Sequence, residues 1–189
     1  MPKYNVFEST NMGTTHYAAR IFDAVCDVDV ENGTFGYLDG LADGEAVIYN
    51  FKAGFKAGMP VVVVDNPAWD YDTCRITNQR RDQYVVPAGT AFRVRTVKLL
   101  DEFATAIEGV TAATREKMQT GAFVTIDGAT GKLVAADAAN TTGKVVMQGE
   151  VMRERVVGGT LSTVAYNYGY ATKLYEVKVT TLDPNAAKA

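Results

Sequence analysis

One histidine, two cysteines and a run of alternating carboxylates are the residues of this 189-residue chain whose types suggest chemistry. His16 stands alone, which excludes any site built on two histidines, such as the His-Glu-x-x-His zinc motif. A Cys–His nucleophile pair would need His16 beside Cys26 or Cys74 in space. His16 lies in an irregular polar segment, which predicts a solvent-facing or locally hydrogen-bonded ring. Asp27-Val28-Asp29-Val30-Glu31-Asn32-Gly33 hints at a calcium loop, but its glycine comes one position late, no bidentate Glu follows at the right distance, and no helices flank it. Its carboxylates read as the solvent face of a hairpin, with a weak ion site shared with another chain as the second reading. Gly128-Ala129-Thr130-Gly131-Lys132 matches a phosphate-binding loop only in part. Ile126 stands where the first glycine belongs, and Leu133 where Ser or Thr must hold magnesium, so the segment reads as a turn. No spacing of carboxylates picks out an acid–base pair. These residues predict a protein that is not an enzyme, takes no small-molecule substrate, and needs no cofactor or metal.

The elements that would position any site are β-strands. From Ala24 to Leu38 two alternating runs flank Asn32-Gly33, a strong short-range hairpin signal because both residues tolerate positive φ. The predicted pairing sets Val30 opposite Phe35 and Val28 opposite Tyr37, with Cys26, Val28 and Val30 on one face. Ala46 to Phe51 reads as a strand, and Val61 to Val64 as a strand covered on both faces. Tyr84 to Val86 is a short strand. Phe92 to Val97 alternates, with Phe92, Val94 and Thr96 on one side and Arg93 and Arg95 on the other. Ala122–Ile126 and Lys132–Ala135 flank a hairpin loop, and Lys144–Val157 alternates at length. Tyr166, Tyr168 and Tyr170 share one parity, and Tyr175, Val177 and Val179 the other, which predicts a bulge or bend between Ala171 and Leu174. Phe103, Ile107 and Val110 have helical spacing. The fold class is therefore all-β: an antiparallel, hairpin-built sandwich or barrel with at most one short helix near 101–118 and an extended N-terminal arm. The expected organisation is an arm over 1–20, a single β domain over 21–182 with a weak subdivision near 101–120, and a flexible tail over 183–189.

Composition bounds the partners. A hydrophobic content of 47% supports a packed core without staples. A net charge of −3 argues against generic affinity for nucleic acid or anionic membrane. No apolar run is long enough to span a bilayer, and Met1 to Ser9 lacks the pattern of a secretory signal. The glycan-acceptor matches at Asn32 and Asn140 read accordingly as coincidence. Cys26 and Cys74 are expected as reduced thiols, with a single bridge as the alternative.

Several residues are candidate partner contacts. Tyr4 and Phe7 are anchors on the arm. Trp69 and Tyr71 lie in a long loop. Arg80-Arg81 is a solvated pair or a partner contact. The stripe of Tyr166, Tyr168 and Tyr170 reads first as core lining and second as a subunit or sugar contact. Val86-Pro87-Ala88-Gly89-Thr90 resembles a turn found in jelly rolls, cupins included, although metal-binding cupins need two or three histidines.

Four segments together resemble a known family: His16 to Asp23, Glu31 to Tyr37, Cys74 to Asp82, and Gly121-Ala122-Phe123-Val124-Thr125-Ile126-Asp127 through Leu133. They are similar to small proteins encoded near the major capsid gene of tailed phages and prophages of Gram-positive bacteria. The resemblance implies a decoration (cement) protein of the virion, assembled in the host cytoplasm and docked on the outside of the capsid. Its implied partners are the major capsid protein and further copies of itself, and it brings no catalytic residues. Another virion part, in the tail or baseplate, and a carbohydrate-binding adhesin module using Trp69 and the tyrosines are the alternatives.

Overall fold

The four consecutive valines at 61–64 have no solvent face. In the computed structural model, which describes residues 3–16, 21–67, 81–136, 145–157 and 172–186, all four are buried. Val62 and Val64 join one apolar cluster, and Val61 and Val63 another. An uninterrupted β-branched run is what a strand packed on both sides requires. That strand, β5 (Val62–Val64), is shared between two cores.

The first core fills a closed five-stranded barrel. Its strands are β2 (Ile21–Val25), β3 (Phe35–Leu41), β4 (Ile48–Ala53), β5 and β6 (Phe92–Thr96), in the order β2-β4-β3-β5-β6. The pairing of β2 with β4 is parallel, and the other pairings are antiparallel. Phe51 and Phe92 meet edge to face inside, with ring centroids 5.6 Å apart. The second core lies between the barrel and a six-stranded antiparallel sheet. That sheet contains β1 (Phe7–Asn11), β7 (Glu102–Ala106), β8 (Phe123–Ile126), β9 (Leu133–Ala136), β10 (Met147–Val157) and β11 (Thr172–Leu182), in the order β1-β7-β11-β10-β8-β9. Phe35 from the barrel packs 5.4 Å from Phe103 of the sheet, and Phe7 packs 5.5 Å from Phe103. The all-β class holds, as do the hairpin of β8 with β9 and the alternation of β6.

Four expectations are corrected. The Asn32-Gly33 turn forms, with the Thr34 N–H donating to the Glu31 carbonyl at 3.2 Å, but its flanks make no hairpin. Only Gly33 takes positive φ (77°), whereas a two-residue hairpin turn needs it at both positions (type I′) or at the first, Asn32 (type II′). The flanks diverge: Val30 pairs with Val86, and Phe35 with Val63. Val28, freed of the expected partner Tyr37, is 62% exposed.

The N-terminal segment is extended, but it is part of the folded body. Strand β1 pairs with β7, and Val6, Phe7 and Met12 are buried, because their apolar side chains complete the sheet's edge. The limit of at most one short helix near 101–118 holds, but the helical spacing of Phe103 with Ile107 makes no helical face, because residues 102–106 are strand. Beyond that strand the chain forms 3₁₀ turns at Ile107–Gly109 and Ala112–Lys117. At the C-terminus Asp183 and Pro184 are hydrogen-bonded to Val146 and Gly58, and Ala186 is buried, so the expected tail is docked through residue 186. The expected parity break begins at Ala171, outside the described residues. Among the described residues the pairing of β10 with β11 shifts register between Gln148 and Gly149 and between Val151 and Arg153.

Candidate interaction surface

The sheet's far side, turned away from the barrel, carries the densest charge pairing among the described residues. Register places its members in one row across four strands: Glu8 on β1 opposite Ala104 on β7, Ala104 opposite Glu176 on β11, and Glu176 opposite Arg153 on β10. Strand alternation sends these side chains to the outer face, while Phe103, Tyr175 and Val177 go to the core. Ala104 is too short to fill its place in the row. Arg155 spans that gap, bonding Glu8 through Nη2 and approaching Glu176 Oε1 at 2.8 Å through Nε. Arg153 forks onto Glu176, and Arg81 reaches Glu8 Oε1 at 2.7 Å and the Phe7 carbonyl at 3.1 Å. Beside the row, Glu102 accepts from Asn11 at 3.0 Å and lies 3.5 Å from Lys178. Val6, Ala104, Ala106 and Leu174 form a small apolar cluster on this face.

The geometry dictates the electrostatics. Burial pushes the Glu8 carboxyl up, but hydrogen bonds and charge from Arg81 and Arg155 outweigh it and hold the group below its ordinary value. The hydrogen bond from Asn11, with Lys178 and Arg153, lowers Glu102 against a smaller effect of burial. A general acid working near neutrality needs its value raised. These two carboxylates are pushed the other way, toward permanent ion pairs.

A cleft of about 520 Å³ opens at the end of the row, lined by Asn11, Glu102, Met152, Arg153 and Glu176 among others. Met152 is there because it is the extra residue of the β10 bulge: pairing passes from Val151–Val177 to Arg153–Glu176 and skips it. It is 46% exposed. Methionine and arginine side by side match the residue preferences of protein–protein interfaces.

The calcium-like run does not converge on a point. Asp27 lies 3.6 Å from Lys52, Asp29 accepts the Ala88 N–H at 2.9 Å, and Glu31 takes the Asn5 N–H at 2.9 Å and Lys132 at 3.0 Å. Among the described residues no group of three metal-ligating side chains forms, and no helix is long and apolar enough to cross a membrane. Cys26 is in no disulfide.

Comparison with known protein families, curated proteins and solved structures finds no match to this chain. The surface is therefore understood from its own residues.

Of the residues expected to meet a partner, Phe7 is 5% exposed and belongs to the core, because its ring stacks on Phe103. Tyr4 is half-buried, with its N–H on the Asp82 carbonyl. Arg81 is spent on Glu8 and the Phe7 carbonyl within the chain. Trp69, Tyr71, Arg80, Tyr166, Tyr168 and Tyr170 lie outside the described residues, as do Cys74, Asn140 and the side chain of His16. Sequence reasoning misses the row Glu8–Arg155–Glu176–Arg153. Its only trace in the sequence is the alternation of Arg153 and Arg155 in one long strand, facing Glu176 in another.

Proposed function

We propose that this chain is a non-enzymatic structural protein of a phage virion that decorates the outside of the capsid and stabilises capsomer junctions, with the major capsid protein as its partner. The observation that carries this reading is the row of ion pairs across β1, β7, β11 and β10. It gives the sheet a broad polar face whose side chains are already held in place, so little rotamer freedom is lost when a second surface docks. Behind that face lies a body whose two cores share β5, which suits a part that must resist stress without bending. The resemblance read in four segments of the sequence implies the same role. Many copies on a shell multiply modest contacts, so no single contact need be strong.

The test is direct. Purified protein mixed with empty shells is expected to co-sediment and to raise the temperature at which they break. Met152→Asp and Arg153→Glu are expected to weaken co-sedimentation while the chain stays folded. Failure of the unaltered protein to bind mature shells would overturn the reading.

A further inference from the structure

The turn joining β6 to β7 holds two leucines out in solvent. Leu99 is 56% and Leu100 63% exposed. The backbone that carries them is fixed in place. Asp101 is buried and accepts the Lys98 N–H and the Gly13 N–H through its two carboxylate oxygens, each at 2.8 Å. Leu100 donates its own N–H to the Val179 carbonyl at 3.0 Å, and Val179 donates back to the Asp101 carbonyl at 2.9 Å. Leu100 has φ of 69°, in the left-handed region where a leucine is rare and Asn or Gly is at ease. This is the one described non-glycine residue with positive φ. The hydrogen bonds of the turn hold this backbone, but the leucine side chain it carries faces water, where Asn or Gly would serve the same backbone.

Beside the knob lies its counterpart. A groove of about 450 Å³ is lined by Pro60, Val61, Val97, Leu182 and Pro184, and Leu99 forms part of its rim. The charges are equally matched. Lys98 at the base of the knob is exposed, Asp183 next to the groove is partly exposed, and neither has an ion-pair partner among the described residues. A patch that carries knob and groove, cation and anion, side by side is complementary to itself under a two-fold rotation.

We infer that the turn Lys98–Asp101 and the groove of Pro60, Val97, Leu182 and Pro184 form a self-association surface whose occupant is a second copy of this chain. Leu99 and Leu100 of each copy seat in the groove of the other, and Lys98 of each faces Asp183 of the other. A backbone turn already held by hydrogen bonds lowers the entropic loss on pairing. The groove shares no lining residue with the cleft beside the charged row, and the inference goes beyond the shell reading, because self-association is measured with no shell present.

Sedimentation velocity of the full chain from about 1 to 100 μM decides it. The unaltered protein is expected to form a dimer with rising concentration. Leu99→Ser combined with Leu100→Asn is expected to raise the dissociation constant at least tenfold, a change worth about 1.4 kcal/mol or more. Asn accepts positive φ, so an unchanged circular-dichroism spectrum confirms that folding is kept. Lys98→Glu and Asp183→Lys are each expected to weaken the dimer, and the two together to restore it. A monomer at every concentration, an oligomer indifferent to the leucine changes, or a charge-exchanged pair no better than either single variant would each overturn the inference.

Discussion

Asn32 and Asn66 clasp each other: the Asn32 side-chain amide donates to the Asn66 carbonyl, and its Oδ1 accepts the Asn66 N–H, both at 2.8 Å. This pins the turn after β2 to the end of β5. Asn5 adds a third arm, donating to the Asn32 carbonyl at 2.8 Å and accepting from Thr105 Oγ1 and the Ala106 N–H at 3.0 Å. Three asparagines thus connect the N-terminal segment, the barrel and the sheet, where strand pairing alone leaves backbone groups without partners.

Asn32→Ala removes both bonds and leaves a backbone N–H and carbonyl of Asn66 unsatisfied in a half-buried site. The expected loss is about 2 to 3 kcal/mol, read as a lower denaturant midpoint with an unchanged slope. Asn32→Asp keeps the acceptor but sets a carboxylate against the Asn66 carbonyl, and is expected to lose at least as much at pH 7.

Two glycines separate conformational strain from collision. Gly44 and Gly54 both have positive φ (78° and 92°). A Cβ on Gly44 would meet nothing within 4 Å, whereas on Gly54 it would lie 2.0 Å from the Gly128 carbonyl oxygen. Gly44→Ala is expected to cost about 1 kcal/mol. Gly54→Ala must also push apart the β4 end and the β8–β9 turn, and is expected to cost about 3 kcal/mol or more. Thermal unfolding of the pair checks the ordering.

The legible part of the sequence is local. The valine run announces a doubly covered strand because four β-branched residues leave no polar face. Asp127 to Gly131 announces the β8–β9 turn because its residues need no distant partner. The Asn32-Gly33 signal specifies a turn but not a hairpin: the turn is decided by two residues, whereas the pairing is decided by Val63 and Val86, which offer competing edges. Phe7 looks like a loose anchor in the sequence because its partner Phe103 lies 96 positions away. The row from Glu8 to Arg153 is illegible for the same reason, since register between distant strands, rather than any spacing along the chain, brings its charges together. Arg95 illustrates the halfway case. Alternation places it outside the barrel, but its buried pairing with Asp65 and the Thr14 carbonyl depends on α1 (Gly13–His16) lying over it.

Glu8 makes stability depend on pH. Its folded-state carboxyl is more acidic than the ordinary value of 4.5, so its contribution is complete above that value and is lost as pH falls through the lower folded one. Removing the charge with Glu8→Gln is expected to cost about 1 to 3 kcal/mol at pH 7, where two arginines lose the carboxylate they share and keep at most one amide oxygen in its place. It should cost progressively less in acid, so the stability curves of the two proteins draw together as pH falls below the ordinary carboxyl value and through the lower folded one. Parallel curves from pH 7 to pH 3 would show that the pairing with Arg81 and Arg155 does not hold this carboxyl down.

Asp101 couples the N-terminal segment to the leucine turn, since one carboxylate oxygen serves Gly13 and the other Lys98. Asp101→Ala leaves both N–H groups without an acceptor and is expected to cost about 2 to 3 kcal/mol. Local opening should exceed global destabilisation at these two places, so hydrogen exchange of the Gly13 and Lys98 amides is expected to accelerate more than that of Val94 or Val177 in the cores. Asp101→Asn keeps one acceptor but turns its NH₂ toward a backbone donor, and is expected to recover less than half of the loss. Because the same carboxylate fixes the direction of Leu99 and Leu100, both variants should also associate more weakly under conditions where they remain folded. Accelerated exchange at Lys98 with Gly13 unchanged would mean that the two segments open independently and that the coupling through Asp101 is absent.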